Sequence, residues 1–545
     1  MNPGEYIFDI KTGYQKGFEW YNSERTWFIG YFFTEDSEYI EGEEALKYIT
    51  NLILRSDYPK AITGLNGVYS LIVLINNELI LYSDKSRFFP LFYTLINNKI
   101  IVSDDFYYLM DQQTEISFNR DALTQFLSGA FVCGNDTIIR NINQVRPSEI
   151  IVITKESIQK KYTSTFSTQN EDILSGDESY LEKLAYEKFE NAGNRLSNSL
   201  KNKHILLPLS GGYDSRLIAC WLKNHNIKNV TCFTFGRKGT ADVGISEKVA
   251  KQLGFEWHYI EYNKKMLETD YLNDNEFKEY YKYASRGTSM FYMQEYFALK
   301  ELARRKIIDK DFVALPGHSG DFLGGSQLYK VIPPETIIKN MEKILLKKSF
   351  WQEPTSSEEK KYLSGLIQEQ ITEIKNTFHS DIDYSIIEDW LIKERIIKYV
   401  FNSSHIFTFF NGEIRLPFWD TELYEFWKRV PLDFRLFKQL YNKILVEKYF
   451  IPHSVEFGQQ LQPSKNDLFK QALKSSVKQY LPLSIKNKYR KKNDWVLYDE
   501  ITQPMVQELK KSSVKIKDNG LSYANRILNW YLMKIGDEFR IIRIR

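Results

Sequence analysis

The feature that most constrains this chain is a short apolar run that leads into a glycine turn and then a new apolar segment. Ile205–Leu209 is the apolar run, SGGYDS at 210–215 is the turn, and Leu217–Leu222 opens the next segment. This order is typical of a strand, a tight turn and a helix start. Two adjacent glycines let the backbone approach a bulky anion. Amides at the helix start and the Ser210 and Ser215 hydroxyls can then bind phosphate oxygens.

The turn differs from the phosphate loop of Walker-type proteins, because it has no lysine and a shorter spacing. SGGYDS after a buried strand instead resembles the pyrophosphate loop of ATP-pyrophosphatase domains. That resemblance implies cleavage of ATP to AMP and pyrophosphate, with a carboxylate or carbonyl oxygen activated as an adenylate. A serine-glycine loop without a catalytic role is the alternative.

The chain around this turn alternates between strand and helix patterns. Val230–Phe235 reads as a second strand, a helical pattern over Val249–Leu253 follows Asp242, and Tyr259–Ile260 starts another strand. Phe312–Leu315 is a further buried strand. Strands and helices in this order predict a doubly wound parallel sheet with its ligand at the carboxyl ends of the strands.

Three further segments extend the resemblance to one family. Gly317–Gly325 reads GHSGDFLGG and resembles the G-x-G-S-D…GG loop of asparagine synthetases and β-lactam synthetases. Arg415–Asp420, RLPFWD, resembles the "PF-D" segment of the same family. The strand pattern Leu65–Leu74, its hairpin partner Glu78–Ser83 and the run DKSRFFPLFY from Asp84 resemble the glutamine amidotransferase domain of asparagine synthetases.

These patterns predict an α/β chain of two domains. Residues 1–165 are expected to form a degenerate amidotransferase-like domain, rich in antiparallel strands and of the Ntn type. Residues 178–545 are expected to form an ATP-pyrophosphatase domain with a parallel sheet and a helical carboxyl-terminal extension. The polar segment Ser164–Gly176 separates them. Later helices are expected at Met290–Lys306, Thr336–Lys348, Glu358–Thr377, Ile386–Val400, Thr421–Arg429 and Tyr523–Ile541.

The first domain departs from the family at its nucleophile. In the family a cysteine directly after the initiator Met attacks glutamine, whereas here Asn2 follows Met1. The cysteines are Cys133, Cys220 and Cys232, each within an apolar stretch typical of a small buried thiol. Attack on an amide needs an activated nucleophile. We therefore expect this domain not to hydrolyse glutamine.

The resemblance assigns ATP and Mg²⁺ as the cofactors. It gives Asp214 and Asp321 as Mg²⁺ ligands, because Mg²⁺ prefers hard oxygen donors and bridges phosphates. Each has an ordinary alternative, since Asp caps helices and forms turns. Asp242 either contacts pyrophosphate or caps its helix. The full expected ATP site is Leu207, Ser210, Gly211, Gly212, Asp214, Ser215, Phe235, Gly236, Asp242 and Gly317.

Two residues are expected to be catalytic. His318 occupies the loop position that is Glu in asparagine synthetases and Tyr in β-lactam synthetases, facing the acceptor side of the adenylate. A neutral imidazole could accept a proton from an attacking amine, the alternative being a loop histidine bonded to backbone. Lys465 is the nearest substitute for a family lysine that neutralises the leaving pyrophosphate, or else a solvated charge.

Composition excludes several classes of protein. A chain of 545 residues with 43% hydrophobic and 26% charged residues is ordinary for a globular protein. A net charge of +3 gives no case for a nucleic-acid partner. Three cysteines suit a reducing compartment, and no signal peptide or transmembrane stretch is evident, so we expect a cytoplasmic protein. A homodimer is an open alternative to a monomer.

The function indicated is an AMP-forming carbon–nitrogen ligase that joins ammonia or an amine to a carboxylate. Chains with the wording GHSGDFLGG resemble a branch associated with surface-polysaccharide loci, which makes a sugar uronic acid the candidate substrate. The alternatives are asparagine synthesis from free ammonia, an intramolecular cyclase of the β-lactam synthetase or lasso-peptide type, and a catalytically silent scaffold. The missing Glu at position 318 counts against the first, and two intact loops count against the last.

Overall fold

The computed structural model describes residues 7–55, 58–267, 270–308, 311–328, 341–352, 355–458, 493–512 and 522–541. Its strands are β1 Ile7–Lys11, β2 Tyr21–Asn22, β3 Thr26–Phe33, β4 Tyr39–Glu41, β5 Asn66–Ile75, β6 Glu78–Ser83, β7 Phe92–Ile96, β8 Lys99–Ser103, β9 Ile142–Gln144, β10 Glu149–Ile153, β11 Ile158–Tyr162, β12 His204–Pro208, β13 Val230–Gly236, β14 Glu256–Glu261, β15 Phe312–Ala314 and β16 Glu413–Ile414.

The α-helices are α1 Gly42–Arg55, α2 Tyr58–Thr63, α3 Phe106–Asp111, α4 Arg120–Gly129, α5 Glu178–Asn198, α6 Tyr213–Asn224, α7 Ala241–Leu253, α8 Lys264–Leu267, α9 Asn275–Ser285, α10 Tyr296–Arg304, α11 Gly320–Leu323, α12 Met341–Ser349, α13 Ser357–Phe378, α14 Asp383–Trp390, α15 His405–Phe409, α16 Thr421–Trp427, α17 Leu432–Arg435, α18 Gln439–Ile444, α19 Ile451–His453, α20 Tyr498–Lys511 and α21 Tyr523–Glu538. The π-helical segments Leu391–Val400 and Leu445–Phe450 continue α14 and α18. Within the described ranges, no helix has the length and apolar character needed to cross a membrane.

The amino-terminal part is a layered structure of two sheets and a helix. A seven-stranded sheet has the order β11-β10-β6-β5-β3-β2 with β4 beside β3, and a four-stranded sheet has the order β1-β8-β7-β9. Successive side chains of a strand point to opposite faces. Ile72 of β5 therefore packs with Ile100 of β8 between the sheets, whereas Leu71 packs with Ile49 of α1 on the outer face.

The third sheet is wholly parallel and positions the site. Its order is β14-β13-β12-β15-β16, so the chain runs outward from β12 in one direction and then returns to the other side of β12 at β15. The strand order thus reverses between β12 and β15. In open α/β sheets the ligand crevice lies at the carboxyl ends of the strands beside such a reversal.

The RLPFWD segment joins the two parts of the molecule. Arg195 of α5 donates to both carboxylate oxygens of Asp420, at 2.7 and 2.8 Å. The Asn66 side-chain amide, from β5, donates to the same carboxylate at 2.9 Å. The Tyr31 hydroxyl, from β3, accepts from the Leu416 amide at 3.1 Å. This segment is therefore a structural junction between the amino-terminal sheet and the parallel-sheet part.

One hydrophobic core runs through both parts. It includes Ile29 of β3, Leu206 of β12 and Trp530 of α21, each fully buried. A buried polar contact also crosses the boundary, because the Arg286 guanidinium donates to the Gln15 side-chain oxygen at 2.8 Å. The two predicted domains therefore share a continuous interior.

The predicted fold class is confirmed: an amino-terminal antiparallel sheet, a parallel sheet and a helical carboxyl-terminal part. The division at residues 165 and 178 stays a prediction. The expected helix Met290–Lys306 is wrong in its first part, because helix begins only at Tyr296. Side chains from elsewhere bind the carbonyls that a helix would use, with Asn402 donating to Met290 O at 2.9 Å and Tyr262 donating to Gln294 O. The start of the expected helix Thr336–Lys348 lies outside the described residues; the rest is in α12.

We predict that Arg195→Ala lowers the free energy of unfolding by about 3–5 kcal/mol, because it leaves the buried Asp420 carboxylate without its cation. Arg304→Ala is the matched control, since that guanidinium is 71% exposed beside Glu301 and exposed pairs contribute little. Urea unfolding followed by tryptophan fluorescence measures both. Equal urea midpoints for the two variants would show that burial of the Asp420 carboxylate costs no stability when Arg195 is removed.

Candidate active site

The SGGYDS turn forms a preorganised loop at the end of β12. Gly212 precedes helix α6, and its amide donates to Ser210 Oγ at 3.1 Å. The Gly211 amide donates to Asp242 Oδ1 at 3.0 Å. A Cβ on Gly211 would lie 2.5 Å from that oxygen, so a larger residue there would displace the Asp242 side chain. Ser210 and Ser215 bring their hydroxyls within 3.2 Å of each other. The two hydroxyls lie at the helix start, and an arriving anion would take over amides that donate here to Asp242 Oδ1 and Ser210 Oγ.

The second glycine loop meets the first at Asp214. The Asp321 amide donates to Asp214 Oδ2 at 2.7 Å, and the Tyr441 hydroxyl donates to Asp214 Oδ1 at 2.8 Å. A Cβ on Gly320 would lie 2.7 Å from the Asp214 carboxyl carbon. The glycine at position 320 therefore allows the close approach of the two loops.

The electrostatics at this junction favour a cation. Withdrawal from bulk water, and then the nearby Asp321 carboxylate, raise the pKa of Asp214 to about 7, although its side chain stays partly open to a cavity. The Tyr441 hydrogen bond, the Asp321 amide and the Lys438 charge act in the opposite direction on that pKa. A divalent cation beside both carboxylates would relieve this repulsion. The donors are hard oxygens, so Asp214 and Asp321 fit Mg²⁺.

No cluster of three or more metal-ligating side chains occurs in the described parts of the chain. A bound Mg²⁺ would thus take its remaining ligands from phosphate oxygens and water, as Mg²⁺ commonly does.

The two loops open onto a cavity of about 470 Å³. The expected site residues that line it are Ser210, Gly211, Gly212, Asp214, Ser215, Phe235, Asp242, Gly317, His318 and Asp321. Leu207 does not line it, because this side chain is fully buried within β12. Gly236 does not line it either, and a Cβ there would lie 2.9 Å from the Trp495 ring. Lys465 lies outside the described residues.

His318 lies on the cavity wall and bonds side chains rather than backbone. Its Nδ1 is 3.1 Å from Ser404 Oγ. Desolvation lowers the pKa of His318 to about 4, although Asp321 acts to raise that pKa. The sequence expectation used the ordinary imidazole pKa and did not anticipate this shift. At neutral pH the ring is uncharged and can accept or donate a hydrogen bond.

Several cavity residues had not been predicted from the sequence. They are contributed by distant segments that carry no local motif: Gln294, Glu295, Phe407, Lys438, Asn442 and Trp495. Glu295 lay within the helix that the sequence had wrongly extended. Lys438 gives the cavity a cation close enough to Asp214 to lower its pKa. Only the tertiary fold brings these residues together.

These features define the class of the protein: a doubly wound α/β protein with two glycine loops and paired carboxylates at the reversal of strand order. A family model described as Asparagine synthase matches residues 201–519, more than half of the chain. The chain therefore belongs to the asparagine synthase family, as the sequence resemblance predicted. A second model, described as a Glutamine amidotransferase domain, matches residues 52–163. Membership agrees with the expectation of a carbon–nitrogen ligase.

Similar proteins include one curated relative. "Asparagine synthetase [glutamine-hydrolyzing] 1" of Bacillus subtilis (strain 168) is 24% identical over 360 residues, covering 62% of this chain and 54% of the relative. This chain thus spans little more than half the length of that protein.

Two solved structures are also similar to parts of the chain. An NH3-dependent NAD synthetase from Campylobacter jejuni is 14% identical, with a TM-score of 0.19 over 40% of this chain and 93% of that chain. A glutamine phosphoribosylpyrophosphate amidotransferase from B. subtilis is 10% identical, with a TM-score of 0.17 over 56% of this chain and 58% of that chain. Similarities at these TM-scores carry no structural argument.

We predict that Ser319→Gly raises the free energy of unfolding by about 1 kcal/mol. Ser319 has a φ of +76°, a left-handed conformation that costs a non-glycine residue about 1–2 kcal/mol, and its buried Oγ has no hydrogen-bond partner within the described ranges. Urea unfolding measures the change. The matched control Ser246→Gly removes a helical hydroxyl bonded to Thr234 and is expected to destabilise. Loss of stability in Ser319→Gly would show that the serine hydroxyl supports the loop.

Proposed function

We propose that this protein is an ATP-dependent, AMP-forming amide ligase, which adenylates a carboxylate and transfers ammonia or an amine to it. The observation that carries the proposal is the meeting of the SGGYDS and GHSGD loops at Asp214, beside the reversal of strand order. Membership of the asparagine synthase family supports the same reaction.

The first half-reaction is adenylation. The substrate carboxylate attacks the α-phosphorus of ATP, a carboxyl O–P bond forms, and the bond from the α-phosphorus to the bridging oxygen breaks. Loop amides and the Ser210 and Ser215 hydroxyls would bind the departing pyrophosphate. Lys438 would offset part of its charge, as would the predicted Lys465. Bound Mg²⁺, held by Asp214 and Asp321, would neutralise phosphate charge.

The second half-reaction forms the amide. A nitrogen nucleophile attacks the acyl carbon, a C–N bond forms, and the acyl C–O bond to AMP breaks. His318 lies on the cavity wall, in the same loop as Asp321, where it would contact the nucleophile or the acyl group. Because the His318 ring is uncharged at neutral pH, it would form a hydrogen bond to an amine and would not repel an ammonium cation.

The candidate substrate is a sugar uronic acid. One support is the sequence GHSGDFLGG at residues 317–325. A second is that His318 occupies the position where asparagine synthetases have Glu, and this difference counts against amidation of aspartate. The cavity is lined by the aromatic side chains of Trp495 and Phe407 and by the amide side chains of Gln294 and Asn442. Such a lining suits a polar molecule with an apolar face. A pyrophosphate-release screen of uronic acids, aspartate and peptide carboxylates with several amines distinguishes these substrates. Aspartate as the sole active carboxylate would overturn the sugar assignment.

We predict that turnover yields AMP and pyrophosphate. We also predict that Asp214→Asn and Asp321→Asn each lower the rate of adenylation by roughly 10²–10³-fold, because each removes a charged oxygen from the phosphate end of the site. Carboxylate-dependent exchange of labelled pyrophosphate into ATP measures this step. Asp111→Asn, at an exposed aspartate at the end of α3, is the control and should match wild type. ADP as a product, or full activity of either variant with saturating Mg²⁺, would contradict the mechanism.

We further propose that glutamine is not the direct nitrogen source. Burial raises the pKa of Cys220 to about 12 and also raises the pKa values of Cys133 and Cys232, so none of these thiols is a thiolate at neutral pH. The Asn2 position, on which the sequence argument rests, lies outside the described residues.

We predict no glutamate release when the protein is incubated with glutamine, ATP and Mg²⁺. A coupled glutamate assay measures release, and the Bacillus subtilis asparagine synthetase, whose name states that it hydrolyses glutamine, serves as positive control. Release well above a protein-free blank would show that another nucleophile acts on the amide.

A further inference from the structure

Glu295 is a buried carboxylate on the wall of the active-site cavity. Its residue is 6% exposed. Gln294 Nε2 donates to Glu295 Oε1 at 2.8 Å, whereas the other oxygen, Oε2, is buried and has no hydrogen-bond partner among the residues that the structure describes. A buried polar atom without a partner is costly, and the cost is greater for a charged group. Among the described residues this oxygen has no donor, so a donor from outside them would stabilise it.

The groups that face Glu295 are neutral. They are the phenols of Tyr262, which follows β14, Tyr280 of α9 and Tyr498 of α20. Burial raises the pKa of each phenol well above its ordinary value, so each stays protonated. In the described part of the chain, no Lys, Arg or His forms an ion pair with Glu295. An uncompensated buried charge is costly, so a cation from outside would stabilise the ionised carboxylate in such surroundings.

The position of Glu295 is fixed by its backbone. It occupies the N-cap of α10, and its carbonyl accepts from the Leu299 amide at 2.9 Å. The Tyr262 hydroxyl donates to the preceding carbonyl, that of Gln294, and accepts from the Ala298 amide at 3.0 Å. The backbone that carries the Glu295 side chain is thus fixed by hydrogen bonds at the start of the helix.

We propose that Glu295 binds the protonated nitrogen donor, ammonium or a primary ammonium group, and takes up one of its protons to release the nucleophilic amine. This inference rests on the amide-ligase function proposed above. It adds a catalytic residue outside both glycine loops, on the wall of the cavity shared by His318 and the phosphate loop.

The proton balance is complete without another reactant. The R–NH₃⁺ group gives one proton to the Glu295 carboxylate, and the neutral amine attacks the acyl carbon of the acyl-adenylate. A second proton leaves the nitrogen to solvent as the tetrahedral adduct collapses. The C–N bond has then formed, the acyl C–O bond has broken, and AMP departs with the oxygen and its electron pair.

The acidities of the two cavity groups support this assignment. Burial raises the pKa of Glu295 to about 7, whereas desolvation lowers the pKa of His318 to about 4. A base works best when its pKa lies near the working pH, so Glu295 is the better proton acceptor and His318 the hydrogen-bonding partner.

Ammonium chloride is the probe for the first test, which needs no carboxylate substrate. Because the folded pKa of Glu295 lies above its unfolded value, its stabilising contribution is lost as pH rises from about 4 through 7. At pH 8 the carboxylate is charged, and ammonium should raise the melting temperature of the wild type more than sodium chloride at equal ionic strength. Glu295→Gln should lose this difference, and Glu279→Gln, at an exposed residue of α9, should retain it.

An equal ammonium effect in wild type and Glu295→Gln would overturn the proposed site, as would no ammonium effect in the wild type. If Glu295→Gln does not fold, Glu295→Met, of similar length but without an acceptor, repeats the comparison.

The second test uses the carboxylate found by the pyrophosphate screen. Glu295→Gln should leave pyrophosphate exchange near wild type, while amide formation falls by roughly 10²–10⁴-fold and loses its rise with pH through 7. Equal loss of exchange and amide formation, or loss of neither, would overturn the role of Glu295. Absence of exchange in the wild type with every carboxylate would overturn the ligase function instead, and the ammonium test would still decide whether Glu295 binds the cation.

Discussion

The site depends on one hydrogen bond, from the Asp321 amide to the Asp214 carboxylate at 2.7 Å. It connects the loops that follow two neighbouring parallel strands, β12 and β15, and both loops line the cavity at the carboxyl ends of these strands. The contact needs glycine at position 320, since any Cβ would collide with the carboxylate. It also brings a second negative charge close to the first. The contact between the two loops therefore places two carboxylates close together, and positive charge from Lys438, from a metal ion or from both would stabilise them.

Two parts of the cavity lining differ in what they would bind. One part combines amides, hydroxyls and Lys438 with the Asp214, Asp242 and Asp321 carboxylates, a set that suits phosphate together with a cation. The other part is Glu295, whose Oε2 has no hydrogen-bond partner among the described residues and would be stabilised by a cation alone. This arrangement suits a reaction that joins an anionic, phosphate-bearing intermediate to a protonated nitrogen. His318 provides a neutral polar group in the cavity lining, and its Nδ1 is 3.1 Å from Ser404 Oγ.

The sequence predicted those parts of the site that lie on continuous motifs. Strand, glycine turn and helix around Ser210–Ser215 depend on local sequence, and the reading of a parallel sheet was confirmed. Glu295 and Lys438 could not be found in this way, because no short motif surrounds them and only tertiary packing brings them to the cavity. The overextended helix before Tyr296 has the same origin, since side chains from other elements bind its carbonyls. The low pKa of His318 likewise follows from desolvation in the fold, which its sequence neighbours do not indicate.

The continuous core has an evolutionary consequence. Ile29 of the amino-terminal sheet and Trp530 near the carboxyl terminus belong to one apolar interior, and Arg195, Asn66 and Asp420 fasten the boundary. A gene that lost the first domain would expose this interior to water at a cost in stability proportional to the apolar area uncovered. Whether or not the first domain has an activity of its own, selection would therefore keep it as the scaffold on which the parallel-sheet part folds.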